Sequence, residues 1–308
     1  MPYLYYLFIL KKKELVYNFL HWKNYSFFIS VLCLFFSIVS IEMYGFNWNI
    51  DFTGGFIFQI RFDNLVELND ISNVLNDVGL YTNQISYFGG LDEVIIRFPY
   101  FSNISITDLF NKIFISLNRG LKFKCHIISS EYVGPNVDEN LLIFFFLSLF
   151  MSILCTSFYI FFRFSWYLSI GIILSLFHDL LLTLGSISFL YIEVSPIVIV
   201  SLLSIIGYSI NDSIVISDRI RENSKKFKNL SFFDILNLSL TQTYVRTIIT
   251  SATTFSVAAV LYCFGSEMIK NFSLIMMIGI FFGTLSSIYV SSSLSFQLYN
   301  MKRFKIKT

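Results

Sequence analysis

Charge is scarce in this sequence. Asp, Glu, Lys and Arg make up 14% of its 308 residues, whereas 55% are hydrophobic. A soluble domain carries nearly twice that share of charge. The mean hydropathy of +0.68 points the same way. The charges present are clustered, which leaves long uncharged stretches. About 20 apolar residues suffice to cross the hydrocarbon core of a bilayer as a helix.

Other scarcities exclude function classes. The net charge is only +2, so no global basic field exists for nucleic acid. Three histidines, widely scattered, and four cysteines without a CxxC spacing argue against a metal centre. Cys33, Cys125, Cys155 and Cys263 read as small apolar filler. No cofactor motif and no catalytic constellation is expected. Ala occurs only at Ala252, Ala258 and Ala259, while Phe occurs 37 times. An AT-rich codon bias accounts for both, so Phe reads as a generic lipid-facing residue. The opening MPYLYYLFIL lacks preceding basic residues and a small-residue cleavage site, so it does not read as a signal peptide. Repeats at solenoid periods are missing.

A sliding hydropathy window gives six spans, at 25–44, 141–162, 166–190, 195–217, 247–264 and 272–293. The basic clusters all fall on one side of a six-span arrangement: Lys11, Lys12, Lys13 and Lys23; Arg163; Arg219, Arg221, Lys225, Lys226 and Lys228; Lys302, Arg303, Lys305 and Lys307. By the positive-inside rule both termini are expected in the cytoplasm. The expected organisation is a cytoplasmic segment 1–24, a first span 25–44, an outer domain 45–140, a bundle 141–296 with a basic loop 218–246, and a cytoplasmic tail 297–308.

The outer segment is polar and patterned differently. Strands are expected at 56–62, 84–88, 93–98 and 122–130, and helices at 65–78 and 106–117. Gly89, Gly90 and Asp92 mark a turn. This βαββαβ order predicts a ferredoxin-like, split-βαβ domain on the periplasmic side. The fold class is thus a polytopic α-helical membrane protein with six transmembrane helices and one periplasmic α/β domain.

Ionisable residues inside a membrane are costly and mark functional candidates. His178 and Asp179 lie near the middle of the third span. Asn211 and Asp212 lie in the fourth, with Asp212 ~9 Å from its cytoplasmic end at 1.5 Å per residue. Arg246 stands where the fifth span begins. Burial favours the neutral acid at Asp212, and a nearby guanidinium favours the anion. Such a carboxyl group either loads and releases a proton or forms a permanent ion pair. Ser201, Ser204, Tyr208 and Asn211 share one side of span four, and Thr243, Thr247, Thr250 and Thr254 one side of span five. These hydroxyls form a wet path or hydrogen bonds between helices. Gly279 and Gly283 form a GxxxG for close helix packing.

Six segments carry a resemblance: NIDFTGGF at Asn49–Phe56, VGP at Val133–Pro135, FRFSW at Phe162–Trp166, HDLLLTLG at His178–Gly185, IGYSINDSIVISDRIREN at Ile206–Asn223 and QTYVRTIITSATT at Gln242–Thr254. In this order, across about residues 22–293, they resemble the SecD/SecF family of protein-export membrane proteins, in the resistance-nodulation-division superfamily. Replacements of Thr by Ser and the many Phe depart from the family pattern without touching a charged motif residue.

The resemblance implies a proton-driven subunit that helps draw secreted polypeptides out of the Sec channel. It implies a SecD-like partner, the SecYEG channel, a YajC-like accessory protein, unfolded exported chains and protons as what it works with, in a bacterial inner membrane. It implies that Asp212 and Arg246 take part in proton flow. It marks Asp51, Gly54, Gly55, Gly134, Pro135, Gly207, Asp218 and Arg219 as signature positions. Three other readings compete. A small-molecule exporter of the same superfamily normally has about twice the spans. An intramembrane aspartyl protease would use Asp179 and Asp212, but SIND replaces the usual GxGD. A purely structural subunit would need no buried charges.

Overall fold

The computed structural model describes residues 16–80, 84–88, 90–99, 106–121, 124–133 and 135–305. The opening apolar run, Gly89 of the expected turn and Gly134 of the VGP motif lie outside the described residues. After a 3-10 turn at Phe19–Trp22, the elements in chain order are α1 (Lys23–Tyr44), β1 (Asn47–Trp48), α2 (Ile50–Thr53), β2 (Gly55–Phe62), α3 (Leu68–Asp77), β3 (Gln84–Phe88), β4 (Gly90–Pro99), α4 (Ile106–Gly120) and β5 (Cys125–Val133). Next come α5 (Pro135–Arg163), α6 (Trp166–Phe189), β6 (Glu193–Val194), α7 (Pro196–Lys226), α8 (Phe232–Phe264), α9 (Glu267–Leu285), a π-helical segment Ser286–Ser291, and α10 (Ser292–Lys305).

Among the described residues, six helices are long and apolar enough to cross a membrane, as the hydropathy predicts. Several run past their expected bounds: α5 begins at Pro135 rather than 141, and α7 continues to Lys226 rather than 217. The helix of the fifth span begins at Phe232 rather than 247, because polar residues such as Asn237, Ser239 and Thr241 are interleaved in its first turns and lower the local hydropathy. Ser231 caps it, its hydroxyl accepting from the Asp234 amide at 3.2 Å. These extra turns anchor the N-terminal strap: the amides of Tyr17 and Leu20 donate to Thr241 Oγ1 and Asn237 Oδ1 at 3.0 and 3.1 Å. The sixth span is not a uniform α-helix, since the π-segment interrupts it.

Polar side chains are distributed unevenly over the bundle. Helices α6 and α7 and the sixth span bury serines, threonines and aspartates at its centre, while α1 and α5 present mainly Phe, Ile and Leu outward. Helix α1 approaches α6 through small residues. A Cβ at Gly185 would overlap Ser37, and the Ser188 hydroxyl is within 3.0 Å of the Ser40 carbonyl and 2.7 Å of the Gly45 carbonyl. Small residues let helix backbones approach where no hydrophobic force drives them together.

Between α1 and α5 the described residues form a four-stranded sheet in the order β3-β4-β2-β5, with every neighbouring pair antiparallel. Alternation along β2 buries Phe56, Phe58, Ile60 and Phe62, against Ile71 and Leu75 of α3 and Leu109, Ile113 and Leu117 of α4. The domain joins the bundle at two points. Strand β1 pairs in parallel with β6, in the loop between α6 and α7. Trp48 and Phe52 meet Phe145 of α5 edge to face, with ring centroids 6.2 Å apart.

The NIDFTGGF segment makes this junction. Asn49 caps α2 with its side chain, and its amide donates to the Val194 carbonyl at 3.0 Å. Gly54 ends α2 at a φ of 71°, a left-handed value that favours glycine. At Gly55 a Cβ would strike the Phe98 carbonyl of β4. The glycine pair thus turns the chain from helix into strand. Asp51 is half-buried beside it. Burial raises its carboxyl above the ordinary 3.8, and the Arg97 charge partly offsets this.

Candidate functional site: a buried carboxyl and hydroxyl network

Asp212 is 3% exposed on the inner face of α7. Its Oδ2 lies 3.4 Å from Ser251 Oγ of α8, and Thr284 Oγ1 of α9 stands 2.8 Å from the same Ser251 oxygen. Three helices therefore meet at one carboxyl group. Serine and threonine are suited to this because a hydroxyl both donates and accepts.

Asp179 forms a second centre and is 1% exposed. Ser209 of α7 donates to its Oδ2 at 2.6 Å, and Ser286 donates to the same oxygen at 2.7 Å. Its Oδ1 lies 3.1 Å from His178 Nδ1. Ser209 and Asp212 are three residues apart on α7, so the two centres sit one turn apart along that helix. Ser286 is the first residue of the π-segment. A π-turn inserts an extra residue and rotates the rest of the helix, a device found often at functional sites.

Arg246 occupies the other side of this arrangement. It is exposed, and with Asp218, Arg219, Glu222, Lys225 and Thr243 it lines a polar cavity of about 740 Å³ at the basic end of α7 and α8. Among the described residues no Asp212–Arg246 ion pair forms within 4.0 Å, yet the Arg246 charge is within electrostatic reach of the carboxyl group. The cavity lies between the ends of α7 and α8, and Asp212 is buried outside its lining.

The remaining signature residues hold the frame. Asp218 pairs with Arg163 at 3.0 Å and Arg221 at 3.1 Å, tying the turn after α5 to the end of α7. Arg219 Nε donates to Gln242 Oε1 at 2.7 Å, and Asn223 Nδ2 donates to Ser239 Oγ at 2.8 Å. These bonds fasten the α7–α8 hairpin. Gly279 and Gly283 face α7 of the same chain. A Cβ at Gly279 would overlap Ile205, and one at Gly283 would lie 3.3 Å from Ser209 Cβ. Pro135 opens α5.

Several expected groupings separate in three dimensions. Asn211 is exposed on the outer side of α7, as is Gly207, whose Cβ position is open space. Thr250 and Thr254 donate to carbonyls of their own helix at 3.0 Å. The hydroxyls that meet the carboxyl groups are Ser209, Ser251 and Ser286, with Thr284 behind Ser251. Sequence reasoning missed all four. The available signal was their spacing from residues already singled out: Ser209 lies one turn before Asp212, and Ser286 lies three residues past Gly283.

The family profile described as "Protein export membrane protein SecD/SecF, C-terminal" matches residues 113–301. The chain is 38% identical, over 94% of its length and 89% of the relative's, to the protein translocase subunit SecF of Escherichia coli O157:H7. It is 39% identical, over 91% of its length and 86% of the relative's, to that of Haemophilus influenzae. The chain belongs to the SecD/SecF family. The crystal structure of SecDF, a translocon-associated membrane protein from Thermus thermophilus, superposes with a TM-score of 0.80 and 32% identity. That match covers 93% of this chain and 39% of the SecDF chain. A SecD/SecF chain of this length thus spans less than half of SecDF.

Proposed function

We propose that this chain is the SecF-type subunit of a bacterial Sec export machinery. It works with a SecD-like chain, in the inner membrane, to draw emerging polypeptides outward at the expense of the proton gradient. The family membership supports the export role, and the relatives named SecF cover most of the chain. The observation that carries the proton role is Asp212: a carboxyl group 3% exposed, bonded across helices, beside a polar cavity that holds Arg246.

The mechanism rests on that arrangement. Asp212 takes up a proton, and its attraction to Arg246 is lost. The hydroxyls of Ser251 and Thr284 then exchange partners, and α7, α8 and α9 shift relative to one another. One charge crossing the membrane field supplies ~2.3 kcal/mol per 100 mV. That biases a two-state element roughly 50-fold. The outer domain moves with the bundle because β1–β6 and the Trp48–Phe52–Phe145 contacts couple them. We read that domain as ferredoxin-like and periplasmic, with both termini inside. The sheet order β3-β4-β2-β5 and the basic residues at one end of the bundle support this.

The role is that of a transport subunit rather than an enzyme. Asp179 and Asp212 are each held by their own hydroxyls, an arrangement unsuited to sharing one catalytic water. The SecD-like partner covers the exposed side of α7 around Gly207 and Asn211, where a Cβ meets no neighbour. The SecYEG channel and a YajC-like protein complete the assembly. Inverted vesicles with and without this chain test the reading. Gradient-driven completion of export should require the chain; equal stimulation in its absence contradicts the role.

A further inference from the structure

Helices α1 and α9 both lean on α6, and a groove stays open between them. Gly185 of α6 takes in Ser37 of α1, and a Cβ at Gly283 of α9 would lie 3.7 Å from Asp179 Oδ2 of α6. The groove holds about 880 Å³. Phe36, Val39 and Met43 wall it from α1, and Met277, Ile278 and Phe281 from α9. Gly185 and Ser186 form its floor, where short side chains leave the space unfilled. The Ser186 hydroxyl is spent on its own helix, donating to the Leu182 carbonyl at 2.8 Å.

The surroundings decide what fills it. Phe36, Met43 and Phe281 are exposed, so the groove opens sideways onto the hydrocarbon of the bilayer. Water needs two to four polar partners, which these walls do not give. An empty groove would forfeit the dispersion contacts of its lining. The height of the groove selects among hydrocarbon occupants. At 1.5 Å per residue the lining from Cys33 to Tyr44 is ~16 Å high, about one leaflet of a ~30 Å core. Past Cys33, Leu182 and Phe282 the space between α1 and the sixth span narrows to a cavity of about 310 Å³. A partner helix crossing both leaflets would need the full width throughout. An acyl chain needs it in one leaflet only.

The rim supplies partners for a headgroup. Tyr44 and Phe189 meet edge to face at the end nearest the sheet domain, with ring centroids 6.4 Å apart. A tyrosine at such a level marks the membrane–water interface. Lys270 is exposed one turn before Leu274, on the same stripe of α9 as Leu274, Met277 and Phe281. It thus stands at the mouth of the groove, where a long ammonium side chain reaches the polar boundary. Gly279 and Gly283 turn the opposite side of α9 to α7, so α9 separates the groove from the α7 face assigned to the SecD-like partner. We propose that this groove binds one phospholipid of the leaflet on the sheet-domain side, with an acyl chain between α1 and α9 and the phosphate at Lys270. The topology proposed above makes that the outer leaflet. The lipid fills the wedge between the bundle and the helix that leads into the sheet domain.

Photocrosslinking after detergent exchange tests the site. The chain, with its partner, is purified carrying p-benzoylphenylalanine in place of Phe281, exchanged exhaustively into detergent and irradiated. Lipid held loosely around the bundle washes away. The groove lipid should remain and give a phospholipid adduct on the Phe281 peptide, read by mass. The same crosslinker in place of Phe150, which is exposed on α5 outside the groove, should give none. Ser186→Phe fills the floor and should cut the Phe281 adduct about tenfold, the equivalent of 1.4 kcal/mol. Lys270→Ala, at an exposed position, should cut it about fivefold through the lost phosphate contact. An unchanged yield in either variant, at a wild-type thermal midpoint, overturns the proposal. So does an equal phospholipid adduct at Phe150, which would mark bulk lipid, or an adduct at Phe281 to a polypeptide, which would make the groove a protein interface. The readout is independent of export, so its failure leaves the proton-driven reading standing.

Discussion

Ser286 donates to Asp179 Oδ2 at 2.7 Å from the first residue of a π-helical segment. The bond joins the sixth span to the third at a point where both are fully buried. A hydrogen bond to a carboxylate contributes about 1.5–3 kcal/mol, and its loss leaves an acceptor with one partner fewer. Ser286→Ala is therefore expected to lower the thermal midpoint of the purified chain in detergent. Ser224→Ala, at a half-buried position on α7 bonded only to its own helix at Ile220, should leave the midpoint nearly unchanged. Equal midpoints for wild type and Ser286→Ala would show that the bond does not hold the spans together.

The two glycines on α7 and the sixth span should respond in opposite ways. Gly279 lies against Ile205, so Gly279→Val overpacks a buried helix contact and should cost about 1–3 kcal/mol. Gly207 faces open space, so Gly207→Ala should be neutral or gain up to about 1 kcal/mol from helix propensity. Gly207→Leu should fold normally but reduce co-purification of the SecD-like partner. Unfolding curves and pull-downs on the same samples separate the two effects. A folded Gly207→Leu chain that retains its partner in full would remove that face from the interface.

Much of this was legible in the sequence. The six spans follow from hydropathy, and the strands of the sheet domain from the period-two alternation seen in Phe56, Phe58, Ile60 and Phe62. Asp212 stood out because a carboxyl group in a membrane segment is costly wherever it points. Ser209, Ser251, Thr284 and Ser286 did not, because a helical serine can satisfy itself on its own backbone, as Ser204 does at 2.7 Å. Which serines reach across depends on helix rotation, and the π-segment alters that rotation without a hydropathy signal. The first turns of α8 are hidden for a related reason: polar residues among them bond Asn223 and the N-terminal strap, which lowers their hydropathy.

The junction between the sheet domain and the helix bundle has a pH signature. Burial raises the Asp51 carboxyl, so the folded state binds its proton more tightly than the unfolded chain does. Stability from this group is therefore greatest in acid and falls as pH rises from the ordinary 3.8 through the raised value. Asp51→Asn should flatten that part of the pH–stability curve and raise stability at neutral pH. Gly55→Ala, which meets the Phe98 carbonyl, should lower stability at every pH. Limited proteolysis of the sheet domain across a pH series reads both. A wild-type domain that resists proteolysis better at neutral pH than in acid would reverse the assigned sign.

The most direct test of the account concerns Asp212. Asp212→Asn keeps the shape of the side chain and mimics the protonated acid, so folding and partner binding should persist. Late-stage export is measured in inverted vesicles with and without a proton gradient. The account predicts that the variant retains basal export and loses the gradient-dependent stimulation. Full stimulation in Asp212→Asn would make Asp212 a structural residue and contradict the mechanism.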